Sequence, residues 1–163
     1  MKARPAPISV SLVNPVHFLA VGGGAGLAPW MPGTFGTLVG IPLYLLLAQL
    51  PLAHYLLITA ALFLVGIYLC GKTARDAGVH DHPAIVWDEI VGLLITMAAV
   101  PPHWATVLAG FLVFRTLDIA KPWPIGLLDR YVKGGFGIMI DDAVAALLGV
   151  VIMHLGLAWW GMA

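Results

Sequence analysis

The segment from Leu52 to Cys70 reads LAHYLLITAALFLVGIYLC and contains no Asp, Glu, Lys or Arg. A helix that crosses the hydrocarbon core of a bilayer needs about 20 apolar residues, which is about the length of this segment. The sequence around it, from Pro5 to Gly71, also lacks all four of these charged residue types. This part of the chain is therefore predicted to lie in a membrane.

The composition of the whole chain supports the same interpretation. Its 163 residues are 61% hydrophobic and 10% charged, whereas soluble domains average about 45–50% apolar and about 25% charged residues. Eight acidic and eight basic side chains leave no net charge, which argues against a nucleic-acid partner. We predict a single membrane-embedded domain over residues 1–163, because the length leaves no room for a second one.

Prolines and charges divide the chain into apolar segments that are predicted to be membrane helices. Two hairpins turn at Pro51 and at Pro101-Pro102, and a last span follows them. The predicted segments are Phe35–Leu50, Leu52–Cys70, Val86–Val100, His103–Arg115 and Ala143–Trp160. The expected fold is an all-α membrane bundle of about four to five helices, some of them short or re-entrant.

The distribution of basic residues predicts the orientation of this bundle. Neither hairpin turn carries Lys or Arg, and all eight basic residues fall in the N-terminus and in the loops 71–87 and 115–142. Because cytoplasmic loops carry an excess of Lys and Arg, this charged face is expected in the cytoplasm.

Two acids begin the third apolar segment, at Asp88 and Glu89. Carboxylates at membrane depth are costly unless they are paired or bound to a cation. A favourable interaction with the dipole of the helix that they begin is the alternative.

A second group of charges lies between Phe114 and Ile125. Arg115 and Asp118 are three residues apart and would share a helix face, which Lys121 extends before the helix stops. One acid with two bases suits a metal ion that carries a phosphate. An ion pair with a snorkelling lysine would explain the same spacing.

A third group follows the glycines of the segment Gly134–Asp142. The glycines would allow a tight turn, and Asp141 and Asp142 are expected at the mouth of the final helix. Neighbours on a helix point about 100° apart, so the two acids are expected to have different roles. Helix capping is the alternative.

The glycine-rich N-terminal region, Gly22–Thr37, lacks the dinucleotide pattern G-x-G-x-x-G because Leu27 replaces the third glycine. Its backbone N–H groups could bind an anion, and Thr34 could cap a helix that begins at Phe35. A surface turn is the alternative interpretation.

Two further motifs match binding patterns but are not predicted to bind a ligand. The segment Gly66–Thr73 fits the P-loop pattern, but its apolar middle indicates the end of a membrane helix rather than a loop. His80, Asp81 and His82 lack the additional ligands that a zinc site needs, so a surface loop is expected there.

The acids thus fall at four separate places, with bases between them, on one predicted membrane face. The supporting charges beyond those named above are Asp129, Arg130 and Lys133. Acids interleaved with bases in this way suggest a magnesium site that acts on a phosphorylated lipid.

These motifs resemble the phosphatidylglycerophosphatase A family of bacterial membrane phosphatases. The matching segments are Gly24–Pro29 with Pro32–Thr34, Ile85–Gly92, Phe114–Ile125 and Gly134–Asp142. Ala25 and Ala28 stand where the family carries Ser, which favours backbone contacts at those positions.

The resemblance implies a Mg²⁺-dependent, multi-pass enzyme of the bacterial inner membrane that converts phosphatidylglycerol phosphate into phosphatidylglycerol. Catalytic and metal-binding roles are then expected for Asp88, Glu89, Asp118, Asp141 and Asp142, and supporting roles for Asp129, Arg130 and Lys133. Phosphate binding is expected from Arg115, Lys121 and Thr34.

The sequence leaves several points open. The nucleophile could be water or an aspartate that is transiently phosphorylated. The number of metal ions and the oligomeric state are undetermined. A small transporter or a scaffold protein with a cation- and phosphate-binding face is the alternative function.

Overall fold

The computed structural model describes residues 10–160, which form seven α-helices and one 3₁₀ segment, with no β-strand among them. The all-α prediction is confirmed over this range. The elements are α1 Pro15–Ala20, the 3₁₀ segment Gly22–Leu27, α2 Pro32–Leu47, α3 Leu52–Ala77, α4 Trp87–Thr96, α5 Trp104–Ala120, α6 Ile125–Tyr131 and α7 Gly134–Trp159.

Two helices, α3 and α7, are long and apolar enough to cross a membrane, and α2 is a shorter apolar helix. The predicted membrane protein is therefore supported by two candidate spans rather than by the four or five that the apolar segments suggested. The predicted segment from Val86 to Val100 was too long, because α4 ends at Thr96 and Ala99 has a left-handed backbone with φ of 57°.

Turns are present at both predicted proline positions, and α4 and α5 pack against each other, whereas α2 packs mainly against α4 instead of α3. The α2–α3 turn includes Pro51, and the α4–α5 turn includes Pro101 and Pro102. The Tyr44 hydroxyl donates a hydrogen bond to the Val100 carbonyl at 2.7 Å, which ties α2 to the second turn. The segment that fits the P-loop pattern lies inside α3, which confirms that it is not a phosphate-binding loop.

Helix α7 is the centre of the bundle and packs against α3, α4, α5 and α6. Small residues allow α7 to pack closely against α3. A β-carbon on Gly71 of α3 would lie 3.1 Å from the Gly135 Cα atom of α7, an approach that small residues permit between membrane helices. The main core lies between these helices and includes Leu93, Leu94, Met97, Phe114, Ala145 and Ala146.

Two predicted helix starts are wrong. Helix α7 begins at Gly134 instead of Ala143, because Gly134 makes the turn with φ of 76° and the glycines after it are helical. Asp141 and Asp142 therefore lie about two turns inside α7 rather than at its mouth, and capping does not explain them. Thr34 is no cap either, because α2 begins at Pro32 and Met31 precedes it.

Candidate active site

A polar cavity of about 430 Å³ lies at one end of the bundle, where α2, α4 and α7 begin and α5 ends. Seven of the eight carboxylates of the chain line it. They are Asp81, Asp88, Glu89, Asp118, Asp129, Asp141 and Asp142. The lining bases are Lys121, Arg130 and Lys133. The structure thus brings the separated charged motifs of the sequence into one place.

Three carboxylates form the centre of this cavity. Asp88, Glu89 and Asp142 each offer one oxygen, and these three oxygens lie within 4.8 Å of one another. Each residue also has a buried carboxylate oxygen that finds no hydrogen-bond partner among residues 10–160. Buried polar atoms of this kind are costly unless something binds them. Because carboxylate oxygens are preferred ligands of hard divalent cations, this trio fits such a cation.

The start of α4 is held in place by its neighbours, and this fixes Asp88 and Glu89. The Val86 N–H, just before α4, donates to the Ala20 carbonyl of α1 at 2.9 Å. The Trp87 indole N–H donates to the Leu62 carbonyl of α3 at 3.1 Å. Asp142 comes from α7, which packs directly against α4.

Gly33 brings α2 into the same centre. This residue is buried and lines the cavity, and a β-carbon on it would overlap the Glu89 Oε1 atom and lie 3.0 Å from Arg115 Nη1. Only a glycine leaves room here for the carboxylate. The neighbouring Thr34, for which the sequence predicts phosphate binding, is not among the cavity-lining residues.

Arg115 connects α5 to the acidic centre. Its Nη1 atom pairs with the Asp118 carboxylate one helical turn away and lies 3.7 Å from Glu89 Oε1. All three side chains are only 12–14% exposed. The predicted shared face of Arg115 and Asp118 is confirmed, and the ion pair also reaches Glu89.

Lys121 ends α5 in a left-handed conformation, with φ of 40°, and its ammonium group donates to Asp129 and Asp141, each at 2.8 Å. Partial burial alone would lower the pKa of Lys121, but these two hydrogen bonds outweigh it and raise the pKa above its usual range. Asp141 therefore faces a base while Asp142 faces the other acids. The expectation that the two neighbours point in different directions is confirmed.

The loop between α3 and α4 adds residues to the site that the sequence does not predict there. His80 and Asp81 line the cavity, although both are exposed. The prediction of a surface loop is confirmed. No sequence signal indicated that this loop borders the other acids.

Known proteins that are similar to this chain support the family resemblance of its motifs. The family model described as Phosphatidylglycerophosphatase A matches residues 18–157. A phosphatidylglycerophosphatase A from Escherichia coli is 49% identical over 152 residues, which cover 92% of this chain and 88% of the relative. One from Haemophilus influenzae is 49% identical over 153 residues and covers 93% of each chain.

A Bacteroides thetaiotaomicron relative, provisionally named a phosphatidylinositol-3-phosphatase, is 35% identical over 147 residues, which cover 83% of this chain and 89% of the relative. No solved structure matches the chain. The family match spans most of the chain and includes every motif from the α4 acids to the α7 acids. This chain belongs to the phosphatidylglycerophosphatase A family of lipid phosphatases.

Proposed function

We propose that this chain removes the terminal phosphate of phosphatidylglycerol phosphate with the help of Mg²⁺, and so produces phosphatidylglycerol in phospholipid biosynthesis. The observation that carries the proposal is the trio of Asp88, Glu89 and Asp142, in a chain of this family. The trio combines close spacing with buried oxygens that lack partners in the described part of the chain.

The charge of the cavity supports a cation. Seven carboxylates line it against three Lys and Arg side chains, and a phosphate monoester itself carries a charge of about −1.5 to −2 at neutral pH. An anion of that charge would be repelled unless a bound cation offset the acids. Magnesium binds through few carboxylates together with substrate phosphate oxygens, which suits a site of this kind.

In this proposal Asp88, Glu89 and Asp142 hold the ion. When bound, Mg²⁺ would supply positive charge that stabilises the oxygens of the phosphate during its transfer. Arg115 positions Glu89 and Asp118 through its two contacts, and Asp118 supports the trio from α5. The buried Nε atom of Arg115 has no partner among the described residues, and we assign it to donate to a phosphate oxygen.

We propose that Lys121 also binds the phosphate. Its ammonium group stays charged and donates to one oxygen of Asp141, while the buried Oδ1 atom of Asp141 has no partner within residues 10–160. That free oxygen is the group we assign to accept a proton from the attacking water. Arg130 and Lys133 lie in the exposed wall and attract the anionic headgroup.

The position of the cavity suits a lipid headgroup. It lies at the C-terminal end of α3 and the N-terminal end of α7, and the rest of both helices is apolar. We place the protein as a multi-pass protein in the bacterial inner membrane, with this end in the cytoplasm, as the basic residues indicate. A transporter would need a polar path across the bilayer, whereas the charges of the cavity gather at one end.

The direct test is release of phosphate by the purified protein in detergent micelles. We expect rapid release from phosphatidylglycerol phosphate with Mg²⁺, and slower release from phosphatidylinositol 3-phosphate at the same surface concentration. Loss of activity in excess chelator and recovery with Mg²⁺ are expected. Absence of phosphate release from phosphatidylglycerol phosphate would refute the proposal, and faster release from the inositol lipid would refute its choice of headgroup.

A further inference from the structure

A second feature of the bundle points to how a lipid reaches the cavity. An apolar groove of about 520 Å³ runs between α2 and α5. Its walls include Leu38, Ile41 and Leu45 from α2 and Trp104, Leu108 and Phe111 from α5. Several of these side chains are exposed, so the groove opens sideways from the bundle toward the surrounding lipid.

The α2 wall of the groove continues into the polar cavity. Leu38, Ile41 and Leu45 follow one another at intervals of three and four residues and therefore share one helix face. Thr34 lies one turn before Leu38 on that face and directly after Gly33, which lines the cavity. A chain that lay along this face would reach the cavity past Thr34.

The α5 wall continues in the same way. Arg115 follows Phe111 by four residues and Asp118 follows Arg115 by three, so both extend the face that lines the groove. Arg115 pairs with Glu89, and Asp118 lines the cavity. The two walls of the groove thus lead toward the proposed phosphatase site, through Thr34 beside Gly33 on α2 and through Arg115 and Asp118 on α5.

The length of the groove matches one leaflet of a bilayer. From Trp104 to Arg115 an α-helix rises about 16 Å, and half of a hydrocarbon core about 30 Å thick is about 15 Å. An acyl chain whose phosphate sits beside Arg115 would therefore reach the end of the groove near the middle of the bilayer.

A second large apolar groove does not lead to the polar cavity. It lies between α3 and α7, and its lining includes Ala143 and Leu147. On α7 these two residues point about 100° or more away from Asp141 and Asp142. A lipid in that groove would have its phosphate on the wrong side of α7, so this groove is a suitable control.

We propose that the α2–α5 groove holds one acyl chain of the lipid substrate, which enters sideways from the bilayer so that its phosphate passes Thr34 and Arg115 into the cavity. The inference rests on the proposed phosphatase function. It assigns the groove to recognition of the hydrocarbon chain and the cavity to recognition of the phosphorylated headgroup.

The test compares a long-chain substrate with one that has no chains. Leu108→Trp and, separately, Ile41→Trp would fill the groove, and Leu147→Trp would fill the control groove. Each variant is assayed in the same micelles with dipalmitoyl phosphatidylglycerol phosphate and with its deacylated headgroup, glycerophosphoglycerophosphate. We expect the groove variants to lose about tenfold or more in kcat/KM for the dipalmitoyl lipid, since two or more methylenes lose their contacts.

With the deacylated compound we expect less than about a twofold change, and the control variant should resemble the wild type on both substrates. Equal losses on both substrates, or groove variants indistinguishable from Leu147→Trp, would overturn the inference. Conversion of a dimer to a monomer by Leu108→Trp, with unchanged kcat/KM, would assign the groove to a second copy of the chain. A wild-type protein inactive on both substrates would instead refute the proposed function.

Discussion

Gly33 lies against Glu89 so closely that a β-carbon on the glycine would overlap the Oε1 atom of the glutamate. This contact brings the first turn of α2 against the first turn of α4 and closes one side of the acidic centre. The carboxylate is thereby held between the α2 backbone and Arg115, whose Nη1 atom lies 3.7 Å from the same oxygen.

Gly33→Ala is expected to displace Glu89 and lower phosphatase activity about 10- to 100-fold, the range typical when groups that orient a metal ligand are changed. Gly156→Ala is the matched control, because no atom of the described residues lies within 4 Å of a β-carbon there. Phosphate release and the Tm of both variants are measured together. Wild-type activity in Gly33→Ala would show that the position of Glu89 does not matter.

The division between metal-binding and phosphate-binding residues can be tested with magnesium titrations. Asp88→Asn and Glu89→Gln each keep one weak oxygen ligand for the ion, so excess Mg²⁺ is expected to restore part of their activity. Arg115→Lys loses the forked guanidinium, which no concentration of metal replaces. If Arg115→Lys recovers with Mg²⁺ as readily as Asp88→Asn, the assignment of roles is wrong.

Lys121 provides a prediction about pH. Its raised pKa keeps the ammonium group charged well above neutral pH, so its contribution to stability is present below its unfolded pKa of about 10.4 and is lost only at higher pH. Deprotonation of Lys121 should therefore cause no loss of wild-type activity between about pH 6 and pH 9, and Lys121→Met should lower activity on the order of 100-fold at pH 7. Full activity of Lys121→Met at pH 7, measured as phosphate release, would contradict this.

Much of the fold follows from the position of charges and prolines. The two hairpin turns, near Pro51 and Pro101, were located correctly because charge-free apolar segments on either side of a proline leave few other arrangements. The start of α7 was missed because glycines usually mark a turn, yet Gly135 is helical and packs closely on α3. Such a close contact between helices leaves no local signal in a sequence.

The candidate site, like the fold, could be predicted from the sequence only in part. Asp88, Glu89 and the α7 acids could be selected individually, since charges in apolar surroundings stand out. Their grouping could not be derived, because it depends on α4 and α7 packing side by side. Gly33 was overlooked because its contribution is the absence of a side chain, which becomes visible only beside Glu89.

The orientation in the membrane has its own test. In a Cys70→Ala background, a single cysteine at His54, at the start of the candidate span α3, should react with an impermeant thiol reagent applied outside the cell. Cysteines at His80 and Lys133 should react only after the membrane is opened. All three positions are exposed on the protein, and Cys70 is buried. Labelling of all three from the same side would contradict the proposed topology.

The central claim is that Asp88, Glu89 and Asp142 hold the magnesium ion that the reaction needs. Its most direct test is Mg²⁺ binding to the purified, chelator-treated protein by calorimetry, with phosphate release followed on the same samples. Asp142→Asn is compared with Asp76→Asn, because Asp76 is the carboxylate that does not line the cavity. We predict that Asp142→Asn loses Mg²⁺ affinity and activity together while Asp76→Asn keeps both; unchanged Mg²⁺ affinity in Asp142→Asn would contradict the account.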